Sequence, residues 1–313
     1  MKLSLLAIAV GSIILVGCND SSTDTISFSK DVRAFDGAVQ GMTGQYDCDD
    51  GSSGTISATD YDGFSTIENE TFATSPETCS LTFNKTDGAV DTSNGKDMSN
   101  VSYSVPKGLL QAGQEAAATP LTTIIAKVLG DDVYSEEVAK ETLEKLGFDF
   151  IDLSNKGADI NIFELLTDPE TALDAIKEAS PEAYSQVMVT TVVLSDTLAA
   201  QGDKEGVTVD QLANVARRVS QVVLDEHPNY PENDNGDEIY VDLSEALEDD
   251  VVFSEIADAE QDGDIDPTDP IFGKITDDIA SARPSVPVPD PELPSTGGTG
   301  GTGGSGSEGG GGA

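Results

Sequence analysis

The sequence predicts an α+β multidomain chain: an N-terminal β-sandwich, then a helical bundle, then a disordered Pro/Gly-rich C-terminal tail. Three observations predict it. Residues 27–105 are rich in Ser, Thr, Gly, Asp and Asn, and short β-type runs alternate there with Asp-Gly and Asn-Gly turns. Short strands at near-regular spacing with such turns read as a small sandwich or barrel. From about residue 112, apolar residues recur at helical spacing behind residues that cap helices. After Ala282 the chain turns first to Pro and then to Gly, a composition that buries no core. A length of 313 residues accommodates about two folded units.

In chain order, residues 1–17 come first. Lys2 precedes a mostly apolar run from Leu5 to Val16. The run is shorter than the roughly 20 residues a membrane-spanning helix needs, so it reads as a signal peptide that plays no part in the fold. It ends in Leu15-Val16-Gly17-Cys18, which resembles the lipobox of bacterial lipoproteins. The resemblance implies that Cys18 is lipidated and becomes the first mature residue, with the membrane as a partner through that anchor. Residues 18–26 then form a polar tether. In Gram-negative lipoproteins, Asp directly after the lipidated Cys resembles an inner-membrane retention signal. Asn19 stands at that place, which favours the outer membrane.

The β-sandwich domain spans 27–105. Gly54 to Thr59, Leu81 to Phe83 and Val101 to Val105 are its clearest strand-like runs. Asp50-Gly51, Asp62-Gly63, Asp87-Gly88 and Asn94-Gly95 are its turns. Asp36-Gly37-Ala38-Val39, Tyr46-Asp47-Cys48 and Tyr61-Asp62-Gly63-Phe64 resemble small exported sandwich modules, immunoglobulin-like or carboxypeptidase-regulatory-like. With Cys18 acylated, Cys48 and Cys79 remain, and an exported pair normally bonds. A Cys48–Cys79 disulfide is therefore predicted, stabilising the domain by roughly 3–4 kcal/mol in the chain-entropy picture.

The helical domain spans 112–226. Thr119-Pro120, Asp168-Pro169 and Ser180-Pro181 each place a cap before Pro at the first helical position. Ser135 caps a run closed by Gly147, and Thr208 with Gln211 forms a capping box. The run after Pro181 is rich in Val, which lowers helix propensity, so burial must hold it helical. Residues 227–243 read as an acidic linker and 284–313 as the disordered tail.

One constellation carries chemistry. Asp258-Ala-Glu260-Gln-Asp262-Gly263-Asp264-Ile265-Asp266-Pro-Thr-Asp269 lies within segment 244–283 and matches the EF-hand template. Ca²⁺ takes six to eight oxygens, and such a loop supplies them from positions 1, 3, 5, 7, 9 and 12. These are Asp258, Glu260, Asp262, Asp264, Asp266 and Asp269, with Gly263 at the sharp turn and Ile265 anchoring the loop. Helix-like sequence flanks it, Ser244 to Ala257 before and Ile271 to Ala282 after. Asp at the last position resembles dockerin and other bacterial EF-hand-like loops.

Sixteen Lys+Arg stand against 58 Asp+Glu, a formal net charge of −42. A phosphate backbone would be repelled, so no nucleic-acid partner is expected. His227 is the one imidazole and lies outside any nucleophile motif, and Trp is absent. No catalytic residue is assigned. The expected function is a lipid-anchored, calcium-binding envelope protein at the outer membrane, with a binding, adhesion or surface-structural role and an unknown protein or cell-surface partner. The alternative is a periplasm-facing accessory lipoprotein that recruits a partner through its helices. A hydrolytic enzyme ranks third.

Overall fold

The structure is a computed structural model that describes residues 27–148, 161–259, 268 and 270–291. Cys18, the signal peptide and the tether lie outside the described residues, as does the tail beyond Pro291.

Among the described residues, helix accounts for 44% and strand for 17%, so the mixed class is the observed one. The strands come first: β1 (Lys30–Ala34), β2 (Val39–Gln40), β3 (Gly44–Cys48), β4 (Ser53–Ile56) and β5 (Phe64–Ile67). A short helix α1 (Glu70–Thr74) precedes β6 (Cys79–Phe83), β7 (Val90–Asp91), β8 (Tyr103–Val105) and β9 (Ala117–Ala118). One sheet is antiparallel with order β4-β3-β6-β8. A second has order β5-β1-β9, with β9 parallel to β1. β2 and β7 form a separate antiparallel pair. Side chains alternate along β3 and β6, so Tyr46, Cys48, Cys79, Leu81 and Phe83 all point into the core.

The helices are α2 (Pro120–Leu129), α3 (Glu136–Lys145), α4 (Ile162–Thr167), α5 (Pro169–Ala179), α6 (Pro181–Gln201) and α7 (Val209–Glu226). Thr119, Ser135, Asp168, Ser180 and Thr208 each accept from the backbone N–H three residues on. Those caps are the ones the sequence predicts, including the Thr208–Gln211 box. Helix α6 is buried on nearly every side, which is how a Val-rich run stays helical. It packs on α7, α5 and α2, and α2 in turn packs on β8. The buried residues of strands and helices join in one core through this contact.

Three segments differ from the sequence reading. The predicted helix from Ser244 to Ala257 is two helices, α8 (Ser244–Glu248) and α9 (Asp250–Ala257). Asp249 divides them, because its carboxylate accepts from the N–H groups of Val251 and Val252 and starts a new helix. Segment 227–243, read as a linker, is packed instead. Tyr230, Ile239, Val241 and Leu243 are buried, and β10 (Ile239–Tyr240) pairs with β11 (Arg283–Pro284). Helix α10 (Gly273–Ala280) leads into β11.

The described part of the Pro-rich tail is a strap across the strand-rich part. The Ser285 N–H donates to the Glu238 carbonyl, Val286 to Asn94 and Val288 to Thr92. The Tyr61 hydroxyl donates to the Val288 carbonyl at 2.8 Å. Proline lacks an N–H, and the non-proline residues between the prolines supply the donors.

Candidate functional site

A cleft of about 380 Å³ opens where the strand-rich part meets α5, α6 and the 230–239 segment. Its floor begins at the turn between β1 and β2. Gly37 at this turn has φ +80, and a Cβ there would lie 2.7 Å from the Asp91 carboxylate. Glycine is thus required both for the turn and for the close approach. The turn delivers Asp36 to the base of the cleft, next to Asp91 of β7.

Behind this floor lies a buried polar network. Tyr103 of β8 donates its hydroxyl to Asp36 Oδ2 at 3.1 Å and lies 2.8 Å from Ser195 Oγ of α6. Lys96 Nζ donates to Asp196 Oδ1 at 2.6 Å, and Asp196 Oδ2 accepts from the Leu243 N–H at 2.8 Å. Consecutive residues of α6, Ser195 and Asp196, therefore tie that helix to two strand-region side chains. Asp91 is held by Ser93 and Asn94, which donate to both its oxygens.

Burial dominates the electrostatics. It pushes Asp36 up to about 7, with the Lys96 charge pulling the other way. Burial raises Asp91 as well, against the donors from Ser93 and Asn94. Burial alone would drive Lys96 towards its neutral form, but Asp196 and Asp36 outweigh it and raise its pKa. Burial raises Asp196 too, against the Lys96 charge and the Leu243 N–H, and Asp36 changes its proton near neutrality.

Among the described residues that line the cleft, Arg33 is the one cationic side chain. Arg33 stacks its guanidinium 4.6 Å from the Phe35 ring centroid and 4.8 Å from that of Phe64. It donates to Glu170 Oε2 at 2.6 Å and to the Asp62 carbonyl at 2.9 Å. Tyr184 stands on the opposite wall, with Lys177 5.0 Å from its ring centroid.

The residues assigned from sequence lie elsewhere. Cys48 and Cys79 face each other on β3 and β6 and are joined by a disulfide. Asp258 ends α9, is exposed, and accepts from Gln211 Nε2 at 3.4 Å. Glu260, Asp262, Asp264, Asp266 and Asp269 lie outside the described residues. Among the described residues no group of three or more His, Cys, Asp or Glu side chains is placed to hold a metal. Helix α9 ends at Ala257, just before the loop, and α10 begins at Gly273, after it. Asn214 Nδ2 of α7 donates to the Ala257 carbonyl at 2.8 Å and to the Ala259 carbonyl at 3.3 Å, which fixes the start of the loop. His227 ends α7, with Nε2 3.2 Å from the Ile279 carbonyl.

Sequence reasoning gave no site role to Arg33, Asp36, Lys96 or Asp196. One signal was present: Ser195-Asp196-Thr197 interrupts the apolar run of α6. A charge inside a run destined for burial needs a partner. No helix among the described residues is long and apolar enough to cross a membrane. No protein family, curated protein or solved structure matches the chain.

Proposed function

We propose that this protein is a lipid-anchored, calcium-binding protein of the cell envelope that binds a partner at the outer membrane, facing the cell surface. The observation that carries the binding role is the cleft above the Asp36 network. It is concave, has apolar walls and holds a carboxyl with a displaced pKa, the usual marks of a ligand site. The Cys48–Cys79 bridge supports export, since such bonds persist in oxidising compartments. The Cys18 anchor rests on the lipobox. We read the two larger sheets as the layers of a small β-sandwich, because β9 packs against strands of both. The helical bundle follows it.

Calcium would be held by Asp258, Glu260, Asp262, Asp264, Asp266 and Asp269. The anchoring of Ala257 and Ala259 by Asn214 supports this, because the loop then starts from a fixed point. Six acids without a cation repel one another. Calcium is therefore expected to raise the melting temperature, and equal melting in calcium and in excess chelator would overturn the assignment.

Three measurements on cells test the rest. Labelled palmitate should enter the protein and be lost in Cys18→Ser. A photo-reactive side chain at Met188, in the cleft, should capture a partner on intact cells. Full protection from added protease would overturn surface display.

A further inference from the structure

Among the described ion pairs, that of Lys96 with Asp196 is the one that buries both partners. The Lys96 side chain is 6% exposed and that of Asp196 is 2% exposed. Each is also fixed from its own side. The Lys96 N–H donates to Asn94 Oδ1 at 2.8 Å, and the Lys96 carbonyl accepts from the Asp91 N–H at 3.0 Å, which holds the turn that carries it. Asp196 lies well inside α6. Its Oδ1 accepts from Lys96 Nζ at 2.6 Å and its Oδ2 accepts from the Leu243 N–H at 2.8 Å. An amine and a carboxyl are thus held against each other, and the second carboxyl oxygen already faces a backbone donor.

A third group shares the enclosure. Asp36 is buried and feels the Lys96 charge. The Tyr103 hydroxyl links it to Ser195, the residue before Asp196. A carboxyl that changes its proton near neutrality can take a proton and return it. In water an amine and a carboxyl stay apart as solvated ions. Burial withdraws the solvent that favours those ions, so the charged pair loses its advantage over a neutral product. Two reactants fixed in contact also gain an effective concentration on the order of 10⁵–10⁸ M.

We propose that Lys96 and Asp196 condense into an internal amide, Nζ to Cγ, which ties the strand-rich part covalently to α6. The ammonium passes one proton to Asp196 Oδ1, and the neutral Nζ attacks Cγ. A second proton moves from Nζ through Asp36 to Oδ1. The Cγ–Oδ1 bond breaks, its electron pair leaves with the oxygen, and Oδ1 departs as water. Oδ2 becomes the amide oxygen, and the Leu243 N–H that stabilises it in the intermediate still holds it in the product. Nothing is oxidised or reduced, and Asp36 ends as it began. Until the bond closes, the ion pair holds the same two parts together. The bond does not depend on what the cleft binds.

The test is mass spectrometry of the full chain, denatured and with its disulfide reduced. Wild type should weigh one water less than its sequence and anchor give, and Lys96→Arg should show no such deficit. Trypsin should leave wild type with a branched product, residues 86–107 joined through Lys96 to residues 178–204, because an acylated lysine is not cut. Asp36→Asn cannot carry the proton and should lower the bonded fraction roughly tenfold or more. Full mass in wild type, with linear peptides ending at Lys96, would overturn the proposal whether or not any variant folds. So would a water deficit that persists in Lys96→Arg, since the loss would then lie elsewhere in the chain. An unchanged bonded fraction in Asp36→Asn would overturn the part given to Asp36.

Discussion

The strand-rich part and the helical part of this acidic chain are held together differently. The strands are two to five residues long, too short to bury a wide apolar face each. Their geometry is set by particular bonds instead: a disulfide between facing strands, carboxylates that cap turns, and a hydroxyl network in the floor of the cleft. Helices α6 and α7 run for 21 and 18 residues and are secured by apolar burial along their length. The junction between the parts uses both means, with α2 packed on β8 and Lys96 paired to Asp196. Short elements need specific contacts, whereas long ones can rely on area removed from water.

Substitutions test that contrast. The largest effect is expected at the junction. Lys96→Met leaves Asp196 buried without its cation, which should cost about 3–5 kcal/mol in a denaturant titration. Adding Asp196→Leu should recover most of the loss. A single variant as stable as wild type would show that the pair does not hold the parts together.

Within the strand-rich part, Cys48→Ala/Cys79→Ala should cost about 3–4 kcal/mol, because the bridge closes a loop across a separation of 31 residues. If limited proteolysis then cuts both parts at equal rates, the contrast fails.

The third test is pH dependence. The Asp36 pKa is raised in the fold, so its favourable contribution is complete below the ordinary carboxylate value and is lost as pH rises through about 7. Asp36→Asn keeps an acceptor for Tyr103 and cannot ionise. The variant should gain on wild type by on the order of 10 °C in melting temperature between roughly pH 4 and pH 7, then level off. A difference that does not change with pH would remove Asp36 from the account.

The smallest effect belongs to the helices. Thr208→Ala removes one cap from α7 and should cost about 1 kcal/mol, because burial along the helix does most of the holding. A loss as large as that at Lys96 would erase the distinction.

Much of the helical part was legible. Caps such as Thr119, Ser180 and Thr208 act on N–H groups three residues away, so their signal is local. The packing of Tyr230 and Val241 was not legible, because Pro and acidic residues around them read as a linker. The strap after Arg283 was missed for a related reason. Its acceptors, Thr92 and Asn94, lie far away in sequence. The cleft was missed because Asp36 and Asp196 look like any other of 58 acids until burial separates them.

The sequence by itself determined the mixed class, the starts of α2, α3, α5, α6 and α7, and the pairing of Cys48 with Cys79. Each of these depends on neighbours within a few residues or on a count of cysteines. Only the tertiary structure decided which charges matter. Lys96 and Asp196 are 100 residues apart, and their pairing needs β7, β8 and α6 to be in place at once. A carboxylate is unremarkable in water and consequential once water is removed, and burial is a property of the whole fold.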